Sequence, residues 1–277
     1  MGTFDLASLD SALRGTAFQG KIQYYGSVSS TNAIAVQEAA AGAPHGSVYV
    51  AEEQTAGRGR GDHSWYSAAG SGLYVSVLLR PPTPPTEILW LSLAAGLAVH
   101  AAIEEVTGLK ADLRWPNDLV FSSQGGSRKF CGILTEMQSD MMRVHSAVIG
   151  IGINVMQENF PPELRTTATS LRIESGRSWP RQEILMALLQ SLHRETTALE
   201  SPEGASAAQQ TFPARLEAVS TWIRGKQVVV GEREEFSGVT AGLDSRGFLL
   251  VDTAEGTRTV YSGGVREART SRRRKAF

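Results

Sequence analysis

The chain has 277 residues, 42% of them hydrophobic and 20% charged, with a formal net charge of -1. That balance describes a globular protein able to bury a sizeable core, most simply as one large domain and one smaller, and excludes a nucleic-acid binder driven by overall charge. The single cysteine, Cys131, excludes an intrachain disulfide and a cysteine-based zinc cluster, so it reads as a small core residue in a reducing compartment.

The N-terminal MGTFDLASLDSALRG lacks a basic region followed by an apolar stretch, so no secretory signal is expected. KIQYYG reads as a strand, and Ser29-Ser30-Thr31-Asn32 caps a helix that ends at Gly42. GSVYVAEE and GLYVSVLL follow as strands rich in β-branched and aromatic residues. A largely buried helix spans about 88–107; the apolar run there, LWLSLAAGLAVHAAIEEV, is short of the ~18 uninterrupted apolar positions of a membrane span. The reading is therefore cytoplasmic, with no membrane partner. LRWPNDLVF, broken at Pro116, RKFCGILTEM and VHSAVIGIGINV are further strands, and a helix runs from about Pro180 to Leu199. SPEGASAAQQ, at 201–210, reads as a polar loop or linker. From Gly225 onward KQVVVG, EEFSGVTAGLD, GFLLVD and TRTVYSGG predict a small all-β barrel, and SRRRKAF is a basic tail. Strands and helices mix without strict alternation, so the fold class is α+β: a domain over 1–221, a barrel over 222–270 and a tail over 271–277.

Several signatures fail. No Walker A string occurs; G-x-G-x-x-G breaks at Asp62 after Gly57 and Gly59, and at Val155 after Gly150 and Gly152. No serine sits in a G-x-S-x-G elbow and no histidine pair has H-E-x-x-H spacing. Four elements remain: Ser30-Thr31-Asn32; the loop QTAGRGRGDHSW from Gln54 to Trp65; Trp115-Pro116-Asn117-Asp118 with Lys129 behind it; and Gly150-Ile151-Gly152-Ile153-Asn154. Singly they have bland readings: a helix cap, a solvated loop, a turn, an exposed strand lysine and a strand with close-packed backbone. In the loop, Gly57, Gly59 and Gly61 leave the main chain free to bend while Arg58 and Arg60 offer planar donor forks, a combination suited to an anion.

Together and in this order the four elements resemble the biotin-protein ligases, over about Ile22 to Arg269. The resemblance implies a catalytic domain of the class II aminoacyl-tRNA synthetase type, built on a mixed sheet with flanking helices, and a C-terminal SH3-like barrel. It implies that biotin and MgATP give biotinyl-5'-adenylate and pyrophosphate, and that the acyl group passes to a lysine of a biotin carboxyl carrier domain with release of AMP. Ser30, Thr31 and Gln54, with Asn32 beside them, would face the ureido ring, which needs both donors and acceptors. Gly150 and Gly152 would let the sheet backbone approach the bicyclic ring, and Gly57 and Gly59 would shape the loop over it. Lys129, Arg58 and Arg60 would carry catalysis as fixed cations where two anions meet, with the loop closing over the adenylate. Trp65, Asn117, Asp118, Asn154 and Arg269, together with Arg58, would take the ATP side, with Asp118 beside Mg2+ as an oxygen ligand.

Two departures follow. Where the family often continues with a further arginine, this chain has His63, only partly charged near neutrality, and Asp62 adds a negative charge nearby. Fewer than thirty residues precede Ser30, so the expectation is an enzyme without DNA partner; homodimer or monomer stays open. Alternatives are a lipoate-protein ligase, which shares the adenylation chemistry, and a non-enzymatic RNA-binding module using its Arg-Gly repeats.

Overall fold

The computed structural model describes residues 4–61, 63–123, 126–231 and 235–268. The first helix, α1 (Leu6–Ala12), was not expected; Asp5 caps it by accepting from the N–H groups of Ala7 and Ser8 at 3.1 Å each, and it buries Leu9. Then come β1 (Ile22–Tyr25), α2 (Thr31–Ala40), β2 (Ser47–Ala51), β3 (Gly72–Leu79) and α3 (Leu89–Thr107). Helix α3 ends where Gly108 takes the left-handed region at φ 71°, which a Cβ would penalise. The stretch expected to be one strand interrupted at Pro116 instead reverses: β4 (Asp112–Arg114) and β5 (Asp118–Ser123) pair antiparallel, with Arg114 opposite Asp118 and Trp115-Pro116-Asn117 as the turn. Strands β6 (Gly126–Ser139) and β7 (Val144–Asn154) form a long hairpin, followed by α4 (Leu171–Ser175) and α5 (Arg181–Thr197).

The expected linker at 201–210 is wrong. It lies in α6 (Pro202–Ala218), because Ser201 caps the helix by accepting from Gly204 N–H at 3.0 Å, and the alanines have the highest helix propensity. Phe212 then anchors α6 edge-on to Trp90 of α3 at 5.9 Å between ring centroids. Strands β8 (Arg224–Val230), β9 (Phe236–Leu243), β10 (Leu249–Thr253), β11 (Gly256–Val260) and β12 (Val265–Glu267) complete the described chain.

The strands make two sheets: a seven-stranded sheet ordered β1-β2-β3-β7-β6-β5-β4, parallel only between β1 and β2, and a five-stranded antiparallel sheet ordered β11-β10-β9-β8-β12. One face of the large sheet carries α3, which packs on α5 and α6. Strand β7 shows why: Ile149, Ile151 and Ile153 are buried in the same apolar cluster as Leu93, Leu97, Leu185 and Leu188, while Gly150 and Gly152 fall on the opposite face. Cys131 is fully buried in this core, and burial pushes its thiol pKa up, as befits an inert residue.

Among the described residues the stretch Pro85–Thr107 is long and apolar enough to cross a bilayer, but 67% of its most apolar window is buried inside the protein, as a core helix requires. The two sheets are tied by Trp115 Nε1, which donates to Gly247 O of the β9–β10 turn at 2.9 Å, and the segment between α6 and β8 is pinned to β4 by Ser220 Oγ, which donates to Leu113 O at 2.5 Å. Trp222, buried between them, joins the common core.

Candidate active site

The register of the large sheet builds the floor of a cleft. Gly150 pairs with Ser76 on one side and Leu134 on the other; Gly152 pairs with Tyr74 and with Gly132. Paired residues share a face, so two glycines lie side by side and open a hollow in the sheet. Neither tolerates a side chain: a Cβ on Gly150 would fall on the Asn32 carboxamide, and one on Gly152 on the Trp65 indole.

Around this hollow stands a narrow cavity of about 40 Å³ lined by Ser30, Thr31, Asn32, Gln54, Arg58, Gly59, Arg60, Lys129, Gly150 and Gly152, among others. Residues far apart in sequence and expected around one ligand are therefore brought together. Gly57 is the exception: it is buried behind the loop, where a Cβ would meet Ser67 Oγ at 2.8 Å, and its carbonyl accepts from Trp65 N–H at 2.8 Å, so it serves the loop's base.

The Ser-Thr-Asn cluster is more than a cap. Ser30 occupies the N-cap position of α2, but its hydroxyl makes no capping bond and lines the cavity. Gln54 caps instead, Oε1 accepting from Thr31 N–H at 2.9 Å and from Thr31 Oγ1 at 3.1 Å. Ser76, fully buried on β3, meets Thr31 Oγ1 at 2.8 Å and Asn32 Oδ1 at 2.5 Å. Asn32 Nδ2 donates to Glu136 Oε2 at 2.9 Å and Leu134 O at 3.3 Å. Donors and acceptors thus alternate along one wall, at the positive end of a helix.

Three cations share this cavity. Arg58, Arg60 and Lys129 all reach the same cavity. Lys129 Nζ lies 2.5 Å from Asp118 Oδ1 and 5.3 Å from the Trp65 ring centroid, and Arg114 Nη2 meets Asp118 Oδ2 at 2.7 Å. Burial alone would raise the Asp118 pKa, but the charges of Lys129 and Arg114 outweigh it and hold the carboxyl below its ordinary value. Asp118 is thus already neutralised by two cations, which does not fit the expected magnesium ligand. Among the described residues no group of three or more His, Cys, Asp or Glu side chains is placed to hold a metal ion.

Two further cavities adjoin. One is walled by Arg60, His63, Trp65, Arg114, Asn117, Asp118 and Lys129 on one side, and by Gly263, Gly264 and Arg266 of the small sheet on the other. The second holds Trp65, Tyr66, Lys129, Asn154 and Phe160, with Tyr66 and Phe160 edge-to-face at 6.3 Å. Trp65 borders all three, and its indole N–H is buried without a partner among the described residues. Asn117 Nδ2 donates to Ile133 O at 2.8 Å, and Asn154 Nδ2 to Thr169 O at 3.0 Å, so both are held by backbone at the cavity edges. Arg269 and Asp62 lie outside the described residues.

Sequence reasoning missed Tyr74, Ser76, Gly132, Arg114 and Glu136. The signal for the first two was the alternation in GLYVSVLL, which puts Tyr74 and Ser76 on one face; Gly132 and Glu136 follow the same period in GILTEM. Burial pushes the Tyr74 phenol up to about 12, and its hydroxyl donates to Ala68 O at 2.9 Å beneath the loop.

Comparison with known proteins finds relatives over most of the chain. A family model described as the biotin/lipoate A/B protein ligase family matches residues 24–154, and one described as the biotin protein ligase C-terminal domain matches 224–265. The bifunctional ligase/repressor BirA of Bacillus subtilis is 35% identical over 244 residues, covering 87% of this chain and 72% of that protein. The biotin--[acetyl-CoA-carboxylase] ligase of Mycobacterium tuberculosis is 34% identical over 242 residues, covering 85% of each. A solved biotin protein ligase from Aquifex aeolicus in complex with biotin and ATP superposes with a TM-score of 0.76 at 29% identity, covering 90% of this chain and 100% of that one. The expected architecture holds: a class II synthetase-like mixed sheet followed by an SH3-like barrel. The chain belongs to the biotin protein ligase family.

Proposed function

We propose that the protein activates biotin with MgATP as biotinyl-5'-adenylate and transfers the biotinyl group to a lysine of a biotin carboxyl carrier protein. The observation that carries this reading is a single cavity lined together by the polar side chains of Ser30, Thr31, Asn32 and Gln54, a glycine floor and the three cations Arg58, Arg60 and Lys129. A neutral bicyclic ring with one carbonyl and two N–H groups suits the Thr31, Asn32 and Gln54 end; its carboxylate then points toward Lys129, with the loop arginines Arg58 and Arg60 closing over it.

In the first step a biotin carboxylate oxygen attacks the α-phosphorus, the bond to the pyrophosphate oxygen breaks, and pyrophosphate leaves. Two anions meet and charge builds on the leaving group, so preorganised cations contribute more than any acid or base. Lys129 reaches the acyl end by exchanging Asp118 for the incoming anion, while Arg114 continues to neutralise Asp118. Trp65, Asn117, Asn154 and Phe160, at the adjoining cavities, form the nucleotide side, and magnesium enters with the ATP phosphates as part of that substrate. In the second step the acceptor lysine's amine attacks the acyl carbon and AMP leaves.

Exchange of labelled pyrophosphate into ATP tests the reading. It should depend on biotin and be indifferent to lipoate, and Lys129→Ala should abolish it while retaining part of the biotin binding. Exchange driven by lipoate alone would overturn the choice of substrate.

A further inference from the structure

The hydrogen bonds of the candidate site form a circuit that starts and ends on the Gly-Arg loop. Arg58 Nη2 meets Glu136 Oε1 at 3.1 Å; the other oxygen of that carboxylate accepts from Asn32 Nδ2 at 2.9 Å. From Asn32 the chain passes through Ser76, Thr31 and Gln54 to Ser67 Oγ, which receives Gln54 Nε2 at 2.9 Å and donates to Trp65 O at 3.2 Å. Within the loop, Trp65 N–H donates to Gly57 O and Gly59 N–H to His63 O, closing the ring. Arg58 thus crosses from the loop to β6, and only one side chain, Glu136, holds its far end among the described residues.

Resting on the ligase reading above, we infer that Glu136 is a positioning residue for the reaction. One of its oxygens anchors the Arg58 guanidinium across the cavity mouth. The other fixes Asn32 at the ring end, so loop closure and ring recognition share one carboxylate. Glu136 itself does not border the cavity and acts through these two partners. When the adenylate is held, the Arg58 strap stands between it and solvent; without its anchor the strap opens more often and the intermediate escapes sooner.

Glu136→Gln separates the two duties, since an amide oxygen still accepts from Asn32 but no longer pairs with the guanidinium. The experiment forms labelled biotinyl-5'-adenylate on the full chain, removes free ligand and follows its release. Release from E136Q should be about two- to fivefold faster, the range of an ion pair with one partner half exposed. Thermal unfolding should stay close to wild type, which separates this role from a structural one. In an Arg58→Gly background E136Q should add nothing, because the strap it anchors is gone. Should the Gln variant fold poorly, Glu136→Asp, which keeps the charge on a shorter stem, should release at an intermediate rate. Equal release from wild type and E136Q, or from wild type and E136D, overturns the inference, as do effects of E136Q and R58G that multiply. A wild type that forms no adenylate sinks the ligase reading together with this one, whereas adenylate formed and released equally sinks only the role of Glu136.

Discussion

Replacing Ser76 with alanine removes one oxygen from the middle of the polar wall and tests whether that wall is a built network. Ser76 is fully buried, and Asn32, only 4% exposed, has its Oδ1 satisfied by Ser76 at 2.5 Å. In Ser76→Ala that carbonyl is left buried without a donor, which costs about 1–3 kcal/mol. For a chain of this size about 1 kcal/mol lowers Tm by roughly 2 °C, so a drop of about 2–6 °C is expected. Because the same hydroxyl also orients Thr31, affinity for biotin should fall by about tenfold or more, equivalent to about 1.4 kcal/mol. Scanning calorimetry and isothermal titration with biotin read the two effects separately. Wild-type Tm together with wild-type affinity would refute the network. A lowered Tm with unchanged affinity would refute its place in ligand recognition.

The two glycines of the floor should respond differently to alanine. Gly150→Ala strikes Asn32, which Ser76 and Glu136 hold from two sides, so it should destabilise by about 1–3 kcal/mol in chemical denaturation. Gly152→Ala strikes the indole of Trp65, which has no hydrogen bond to lose, so denaturation should show a smaller loss than in Gly150→Ala while titration shows biotin binding weakened. Acid should release stability stored at Asp118: its pKa is depressed in the folded state, so its contribution is complete above the unfolded value near 4 and is lost as pH falls below it. Thermal scans from about pH 7 to pH 3 should show this loss in the wild type and a flatter profile in Asp118→Asn. Trp115→Phe removes the donor to Gly247 O that ties the two sheets; a loss of about 1–3 kcal/mol is expected in urea unfolding.

Much of the site was legible because its chemistry is carried by short strings. Gly150-Ile151-Gly152-Ile153-Asn154 announced a strand with close-packed backbone, and Trp115-Pro116-Asn117-Asp118 announced a turn, though its reversal into a hairpin was not foreseen. What stayed hidden depends on pairing between distant strands. Ser76 and Gly132 enter the site only through the register that sets them beside Gly150 and Gly152. Glu136 and Arg58 are brought together by a loop folding over a sheet, which no local pattern encodes. Helix α6 was lost because serine, proline, glycine and glutamine at 201–210 look like a linker, whereas Ser201 is a cap and the buried Phe212 and Leu216 that fix the helix come later. Helix α1 was overlooked for a similar reason: a short segment of only seven residues is made helical by Asp5 in front of it and by burial of Leu9.

The indole of Trp65 rests on bare backbone at Gly152, with its N–H shielded from water and an ammonium group above its ring. Trp90, Trp115 and Trp222 are sealed in the interior, and Trp179, half-buried under Arg177, does not border the cavity. Any molecule that settles on the same floor rebuilds the surroundings of this one chromophore while leaving the other four as they were. The protein therefore carries its own optical reporter, and ligand entry registers as a change in ultraviolet emission without any dye or tag.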